Sequence, residues 1–246
     1  MLDSHCHLDR YGDARSVAEE AERKGVFTIA VTNLPSHFRA GLPHVRQWPK
    51  VRLALGLHPL AAADHSRELA DFEAYFATTS FIGEVGLDFS RQGRETKQRQ
   101  LDSFRFVARL LSGARKVVSL HSRGAEEDVL TVLSQFGVER AVFHWYSGPL
   151  KTLEGVIAAG HLLSVNPAMT RSAKGREIIA AIPRTQILSE TDGPYVQVSG
   201  SPAKPWDAAL VEQHLAQLWN LPADETRAQL WSNFLTLVNE TRPVPR

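Results

Sequence analysis

The chain has 246 residues, of which 43% are hydrophobic and 22% are charged, values that are ordinary for a globular protein large enough to bury a sizeable core. Its formal net charge of +1 at pH 7 excludes a whole-molecule field that attracts nucleic acid, so any polyanion must be bound through locally placed Arg and Lys. A single cysteine excludes an intramolecular disulfide, and the sequence shows neither a membrane-length apolar run nor a signal-peptide pattern, which together predict a cytoplasmic protein with no membrane association.

Eight apolar runs with the character of β-strands alternate with amphipathic helical patterns along the chain. In chain order the runs read LDSHCH, VFTIAVTN, VRLALGLH, FIGEVGLD, KVVSLHSR, RAVFHWYS, GHLLSVNP and TQILSETD. This alternation predicts parallel strands, and eight units in a chain of this length predict an α/β fold, a (β/α)8 TIM barrel of metal-dependent hydrolase type that occupies residues 1–246 as a single domain. A doubly wound open sheet is the alternative. The Pro-rich segment 193–206 is predicted to be one loop after the last strand, and the tail TRPVPR to be frayed.

Almost every strand run ends in a side chain that can bind a metal ion. These side chains are His5, His7, His58, Glu84, Asp88, His121, His144, Glu190 and Asp192. Loops after parallel strands meet at one end of a barrel, so we expect these side chains to face one shared cavity. Alternation along the first strand places His5 and His7 on the same face and points Cys6 toward the helices.

Each of these residues by itself has an ordinary explanation, as a packed core side chain or as a cap. Buried together, however, these imidazoles and carboxylates would lose their hydration. Without a cation between them, that loss would cost a large amount of free energy. Since one ion needs three or four ligands, the sequence predicts two divalent ions, and His plus carboxylate ligands suit Zn, Mn, Fe or Ni. Glu84, central in the strand order, is predicted to bridge them. The predicted ligands are His5, His7, Glu84, His121, His144 and Asp192.

The motifs that carry these residues resemble the TatD family of metal-dependent deoxyribonucleases, which are amidohydrolase-like barrels. The similarity runs through DSHCHLD, GLHP, GEVGLDF, LHSRGAEEDVL, HWYSG and ETDGPY to the closing SNFLTLV. It implies one ion held by His5, His7, Glu84 and Asp192 and a second held by Glu84, His121 and His144. It also implies that His58 and Arg123 face the substrate phosphate, that the substrate is DNA, and that cleavage is exonucleolytic and 3′-directed. Because nucleases of this family commonly use Mg, the candidate metals are Mg, Mn or Zn.

Two segments depart from the family pattern. The usual HCFSG is HWYSG here, which introduces Trp145 and Tyr146, and an Asn-bearing segment that commonly reads like RNEP is reduced to AKPW. Neither change touches a predicted metal ligand. Such a variant also looks like the TatD-like nuclease subunits of bacterial anti-phage (Qat-type) gene clusters, which implies a role in anti-phage defence and protein partners in a defence complex.

Cleavage of a phosphodiester needs an activated water, neutralised phosphoryl charge and help for the leaving oxygen, and two divalent ions about 3.5–4 Å apart supply all three. Glu84 and Asp192 are the predicted catalytic residues. Asp192 follows the last strand beside the first ion, where it can orient or deprotonate the water. Glu190, on the same face two residues earlier, is predicted to orient a ligand, with an ordinary ion pair as the alternative.

Basic and aromatic side chains recur in the loops after the predicted strands. They are Arg10, Arg91, Arg94, Arg123, Lys151, Arg171 and Lys204, with Tyr11, Phe89, Trp145, Tyr146, Tyr195 and Trp206. A groove that mixes cations with stacking rings suits single-stranded DNA or frayed ends, where the bases are accessible. Arg123 and Trp145 are the predicted substrate contacts, and packing between strand and helix is the alternative for Trp145.

Two other classes of function are weighed against a nuclease. An amide or ester hydrolase, for instance an aminoacyl-tRNA deacylase, could use the same scaffold, but such amidohydrolases often carry a carboxylated Lys where this chain has Glu84. A non-catalytic partner subunit could keep a metal site for stability, but a scaffold has no need of a complete set of convergent ligands. A screen with small ester substrates separates the first alternative from a nuclease.

Overall fold

The computed structural model describes residues 1–241, and the remainder of the tail predicted to be frayed, residues 242–246, lies outside the described residues. Within the described part, the strands of the main sheets are β1 (Leu2–Cys6), β2 (Phe27–Ala30), β3 (Val51–Leu53), β4 (Leu55–Leu57), β5 (Phe81–Gly86), β6 (Val117–His121), β7 (Val142–His144), β8 (Leu162–Val165) and β9 (Ile187–Ser189). A short hairpin follows, formed by β10 (Gln197–Val198) and β11 (Ser201–Pro202).

The helices alternate with these strands. They are α1 (Ala14–Arg23), α2 (Pro35–Val45), α3 (His65–Phe76), α4 (Lys97–Leu111), α5 (Glu126–Gln135), α6 (Leu150–Ala158), α7 (Pro167–Arg171), α8 (Ala173–Ala181), α9 (Ala208–Trp219) and α10 (Ala223–Thr241). α1 illustrates how the sequence forms them, because the Asp13 carboxylate caps the helix by accepting from the backbone of Ser16 at 2.9 Å. Its buried residues Val17, Ala18 and Ala21 recur at helical spacing. No helix within residues 1–241 is both long and apolar enough to span a lipid bilayer.

The main strands close into a barrel, which confirms the predicted (β/α)8 fold over the open sheet. β1, β2 and β3 pair in parallel in that order, and β4 to β9 pair in parallel in theirs. The first and last strands meet through side chains: the Ser4 hydroxyl donates to the Ser189 carbonyl at 2.9 Å, and the Ser189 hydroxyl donates to the Leu2 carbonyl at 2.7 Å. The backbone N–H of Asp192 continues this seam by donating to the His5 carbonyl at 2.9 Å.

The third predicted strand, VRLALGLH, is wrong as a single element, because it breaks at Ala54 into β3 and β4. The Thr32 hydroxyl donates to the Ala54 carbonyl at 2.9 Å and accepts from the backbone of Gly56 at 3.1 Å, so a side chain replaces the regular ladder there. The end of β2 presses so close that a Cβ atom on Gly56 would lie 1.5 Å from the Thr32 carbonyl oxygen. This approach lets the same carbonyl accept from the backbone of Glu84 at 3.0 Å, which fixes a central residue of the barrel mouth.

Two further details differ from the sequence expectation. The segment 193–206, predicted to be a loop, contains the β10–β11 hairpin, because Ser199 and Gly200 adopt φ values of 50° and 78° and form a tight turn. Pro167–Arg171 forms the short helix α7, which no apolar period indicates. Its start is set by Asn166, whose side chain accepts from the backbone of Ala168 and Met169.

The core places apolar and polar side chains at opposite ends of the barrel. One apolar cluster joins Phe234 and Leu237 of α10 to residues of the barrel, most of them the first or second residue of a strand. The strand-start residues are Leu2, Val117, Val142, Leu162 and Leu188, and Ile29, Val31 and Ala54 complete the cluster. A larger cluster fills the space between the barrel and the surrounding helices. The polar side chains are therefore left at the carboxyl ends of the strands, where a barrel site is expected.

Candidate metal centre

The first strand supplies two imidazoles to the barrel mouth. His5 and His7 are both buried, and their Nε2 atoms lie 3.3 Å apart. The Nδ1 atom of His5 lies 2.7 Å from the Ser119 hydroxyl of β6, which directs its Nε2 atom toward the cavity. Cys6 between them packs outward in a cluster with Val17 of α1. The strand therefore has the phase that alternation predicts.

Glu84 of β5 lies at the centre of the group and is 1% exposed. Its Oε2 atom faces His7 Nε2 at 3.1 Å and His5 Nε2 at 3.6 Å. Its Oε1 atom faces a second pair of imidazoles, His121 Nδ1 at 2.5 Å and His144 Nε2 at 2.9 Å. One carboxylate thus presents a separate oxygen to each pair, which is the arrangement of a ligand shared between two metal positions.

Asp192 follows β9 and completes the side of the cavity that holds His5 and His7. Its Oδ1 atom lies 3.7 Å from His5 Nε2 and 3.6 Å from His7 Nε2, yet no group among the described residues donates a hydrogen bond to this buried oxygen. Burial raises the pKa of the Asp192 carboxyl to about 7, although His144 and His7 act to lower it. A divalent cation satisfies an unpaired carboxylate oxygen beside two imidazole nitrogens, so these residues fit a metal site.

A buried carboxylate lies behind His121. Asp88 Oδ2 is 2.8 Å from His121 Nε2, while Asp88 Oδ1 accepts from the backbone of Ser90 at 2.9 Å. The Gln100 side chain of α4 accepts from the backbone of Asp88 at 2.8 Å and also donates to a carbonyl of the following loop, so α4 holds this carboxylate in place. When His121 donates its Nε2–H to Asp88, its lone pair is on Nδ1, the atom that faces Glu84.

A second buried carboxylate, Glu190, lies behind His144. Its Oε1 atom is 3.5 Å from His144 Nδ1 and accepts from the backbone of Trp145 and the side chain of Asn166, both at 3.1 Å. The Ser164 hydroxyl donates to its other oxygen. Burial acts to raise the pKa of the Glu190 carboxyl, but His144, His5 and the Ser164 hydroxyl together lower it. No described residue forms a hydrogen bond with His144 Nδ1, so the role of Glu190 in orienting a ligand stays a prediction.

Burial and the contacts among these side chains determine whether Glu84 and His5 are charged. Burial alone would raise the pKa of the Glu84 carboxyl, but the surrounding imidazoles, His58 first among them, hold that pKa well below its ordinary value. Burial and the neighbouring His144 lower the pKa of His5 to about 4. At neutral pH Glu84 is therefore ionised and His5 is neutral, the forms in which these side chains bind metal ions.

His58 follows β4 and enters the same cluster, with its Nε2 atom 3.3 Å from Glu84 Oε2. Distance alone makes it a possible metal ligand, since His58, Glu84 and His121 place one ligand atom each within 4.8 Å of one another. Its Nδ1 atom, however, accepts the backbone N–H of Leu60 at 3.1 Å. A neutral imidazole that accepts at Nδ1 carries its proton on Nε2. The atom that faces the cavity is therefore a hydrogen-bond donor.

Most of these side chains line a cavity of about 750 Å³ together with Arg123, Trp145 and Tyr195; they are His7, His58, Glu84, Asp88, His121, His144 and Asp192. Arg123 is exposed. Trp145 has a φ of 37° and is part of the cavity lining, and its side chain also packs against the core. Tyr146 is 1% exposed and donates to the Pro149 carbonyl, so it belongs to the core and not to the mouth.

Sequence reasoning misses the residues that hold the predicted metal ligands in position through hydrogen bonds. Asp3 of β1 is fully buried and accepts from the Thr191 backbone at 2.9 Å and from the Thr191 hydroxyl at 2.6 Å, which fixes the segment that carries Asp192. The role of Asp88 toward His121 is missed in the same way. The available signals were a carboxylate inside β1 for Asp3 and a carboxylate two residues after β5 for Asp88.

Comparison with known proteins points the same way as the geometry. The family model for TatD related DNase matches residues 2–239. The human protein named deoxyribonuclease TATDN3 is 28% identical over 98% of this chain and 96% of its own length. YjjV of Escherichia coli, named an uncharacterized metal-dependent hydrolase, is 30% identical over 97% of this chain and 98% of its own length. The crystal structure of YjjV, described as a TatD homologue, has a TM-score of 0.85 and covers 100% of this chain and 98% of that chain at 30% identity.

Proposed function

Because the chain belongs to the family of TatD-related DNases, metal-dependent hydrolases that act on ester bonds, we propose that it cleaves DNA with two divalent ions, as a 3′-directed exonuclease on single-stranded or frayed ends. The observation that supports two ions is that the two oxygens of the Glu84 carboxylate face different pairs of imidazoles. One oxygen faces His5 and His7, and the other faces His121 and His144. A carboxylate shared in this way suits a pair of ions that act on one phosphate.

The residues divide into two ligand sets with Glu84 in common. One position would be held by His5, His7, Glu84 and Asp192, and the other by Glu84, His121 and His144. When bound, the ions supply charge neutralisation at the phosphoryl oxygens and a lowered pKa for water. With Oδ1 facing the first metal position, the other oxygen of the Asp192 carboxylate would orient the attacking water or accept its proton.

Two residues outside the ligand sets serve the substrate phosphate. His58 presents an Nε2–H toward the cavity, since its Nδ1 atom is occupied by the backbone of Leu60, and it would donate that hydrogen bond to a phosphate oxygen. Arg123 is exposed in the cavity wall and supplies a permanent positive charge with several donors. Together they orient the phosphate against the metal positions.

The preference for single-stranded or frayed ends is supported by the shape of the site. A cavity of about 750 Å³ at the end of a barrel is of the size that encloses a small molecule. A nucleotide inside a duplex must first unpair and unstack to enter such a cavity, which costs a few kcal/mol, and an already single-stranded end avoids most of this cost.

A cleavage assay with labelled oligonucleotides tests the proposal. Single-stranded, frayed and blunt duplex DNA, labelled at the 5′ end, would be incubated with Mg, Mn or Zn. We expect a ladder of products shortened from the 3′ end, strongest on the single strand. Hydrolysis of small esters or aminoacyl-tRNA without cleavage of DNA would instead identify the chain as a hydrolase of the alternative class, and no turnover on any of these substrates would identify a non-catalytic subunit.

Metal stoichiometry gives an independent check. We expect the metal-stripped protein to bind about two divalent ions per chain in a calorimetric titration, because two ligand sets share Glu84. Cys6→Ala serves as the matched control, since Cys6 lies between His5 and His7 but packs away from the cavity, and it should leave the stoichiometry unchanged. Saturation at one ion for every metal tested would contradict the assignment.

Trp145 is expected to govern substrate affinity and not the chemical step. Its ring lines the cavity directly after His144, where it can stack on a base, so Trp145→Ala should raise KM for single-stranded DNA about tenfold to a hundredfold while kcat and metal content change little. Steady-state kinetics beside a thermal melt decides the matter. A large loss of stability with an unchanged KM would mean that the indole serves only the core that it also contacts.

A role in anti-phage defence, with protein partners, stays a prediction from the sequence resemblance. The substitutions that motivate it, Trp145 and Tyr146, have separate places here, since Trp145 lines the cavity and Tyr146 is buried. Survival of phage-challenged cells that express the neighbouring genes with either the wild-type chain or its Glu84→Gln variant would test it. Equal protection by both would exclude a nuclease-dependent defence role.

A further inference from the structure

Two large apolar side chains stand exposed at a cavity whose floor is made of imidazoles and carboxylates. Tyr195 is 54% exposed and Leu60 is 43% exposed, and both line this cavity. The other large exposed apolar side chains among the described residues lie on the outer helices α6, α9 and α10; they are Leu150, Leu210, Leu218 and Leu235. Apolar surface beside a polar catalytic floor is surface that a ligand can cover.

Tyr195 is held next to the metal centre by two contacts. Its backbone N–H donates to the carbonyl of Asp192 at 2.9 Å. Its ring packs against the imidazole of His7 with the ring centroids 4.9 Å apart and the planes at 75°. These contacts fix the position of the ring while more than half of the residue stays open, so the ring offers a preformed surface beside an ion ligand.

Leu60 reaches the cavity from another strand. It follows β4, and its backbone N–H donates to His58 Nδ1 at 3.1 Å, which ties Leu60 to the imidazole that would contact the phosphate. Tyr195 follows β9, and Leu60 follows the interrupted strand that ends in β4. In the barrel, β1 and β2 lie between these two strands. The two side chains therefore line the cavity from different parts of its wall, each adjacent to a residue of the proposed phosphate site.

We propose that Tyr195 and Leu60 form a binding site for the nucleobase of a nucleotide that flanks the scissile phosphate. The inference rests on the proposed function, since it places a base beside a phosphate held at the metal centre. An unpaired base is a flat ring with two apolar faces, and it can stack on Tyr195 and contact Leu60 whatever its identity. A base within a duplex has both faces and its pairing edge occupied. The site therefore selects an unpaired end without selecting sequence.

Equilibrium binding measures this contact without relying on cleavage. Fluorescence anisotropy would follow a short 5′-labelled oligothymidylate in EDTA, and two matched oligonucleotides would be abasic at the 3′-terminal or at the penultimate position. We expect Tyr195→Ala to raise the Kd for the intact strand about tenfold, because stacking on the ring is lost. Leu60→Ala should raise it about threefold, since part of a small apolar contact is removed. On one of the abasic strands, Tyr195→Ala should have no effect.

The controls are matched to the sites. Tyr195→Phe keeps the stacking face, and Leu218→Ala removes a leucine of similar exposure, 45%, from the outer helix α9, so both should stay within about twofold of wild type. An unchanged Kd for Tyr195→Ala, an equal rise on all three strands, or no base-dependent binding by the wild type would overturn the proposal. Failure of the wild type to cleave DNA would reject the proposed nuclease function but leave a base-dependent Kd in place, so the two failures are distinguishable.

Discussion

Replacing Glu84 with Gln is expected to lower the rate of DNA cleavage by at least about a thousandfold, which corresponds to about 4 kcal/mol of lost transition-state stabilisation. The reason is geometric. Oε1 faces His121 and His144, and Oε2 faces His5 and His7, so an amide leaves one of the two metal positions with an NH2 group that cannot act as a ligand. The substitution preserves the shape of the side chain, and the barrel should stay folded.

The measurement needs both rate and metal content. Single-turnover cleavage reports the first, and titration of the stripped protein should show fewer than two ions bound per chain. Glu177→Gln, which neutralises an exposed carboxylate on α8, is the matched control and should behave as wild type. Cleavage by Glu84→Gln within about tenfold of wild type would mean that this carboxylate does not bridge the ions.

The sequence was sufficient to predict the barrel because each strand carries its own signal. β1 shows the reason most clearly: its apolar residues and the alternation of His5, Cys6 and His7 fix both the strand and its two faces. The break at Ala54 has no such signal in VRLALGLH, since the Thr32 hydroxyl that bonds the backbone of Ala54 and Gly56 comes from the segment after β2. Long-range side-chain contacts of this kind appear only when the fold brings the strands together.

The candidate site, like the fold, has features that the sequence predicts and features that it does not. Residues that contact the cavity could be listed from strand ends, and the structure brings all six predicted ligands together around Glu84, with His58, Arg123 and Trp145 in the same cavity. Which nitrogen of each imidazole faces the centre could not be predicted, because it depends on partners distant in sequence. His58 shows this, since one backbone hydrogen bond from Leu60 makes it a donor despite its ligand-like position.

Asp88→Asn is expected to weaken the ion on the His121 side about tenfold to a hundredfold and to lower kcat/KM by a similar factor. Asp88 uses both oxygens, one for the backbone of Ser90 at 2.9 Å and one for His121 Nε2 at 2.8 Å. An Asn at this position has one oxygen, and if Ser90 keeps it, the amide NH2 faces Nε2. The imidazole must then accept at Nε2 and carry its proton on Nδ1, the atom that faces Glu84 and the ion.

Three measurements separate this effect from a general loss of structure. The 15N shifts of His121, recorded without metal at a pH above its raised pKa so that the imidazole is neutral, should report the change of tautomer. The titration should show one weakened ion and one unchanged ion, and the melting temperature should change little because the side chain keeps its size. Asp102→Asn, on the exposed face of α4, should change none of these. Unaltered tautomer and metal affinity in Asp88→Asn would show that Asp88 only supports its loop through Ser90 and Gln100. A changed tautomer with weaker binding would show that a carboxylate outside the ligand set controls how tightly His121 holds its ion.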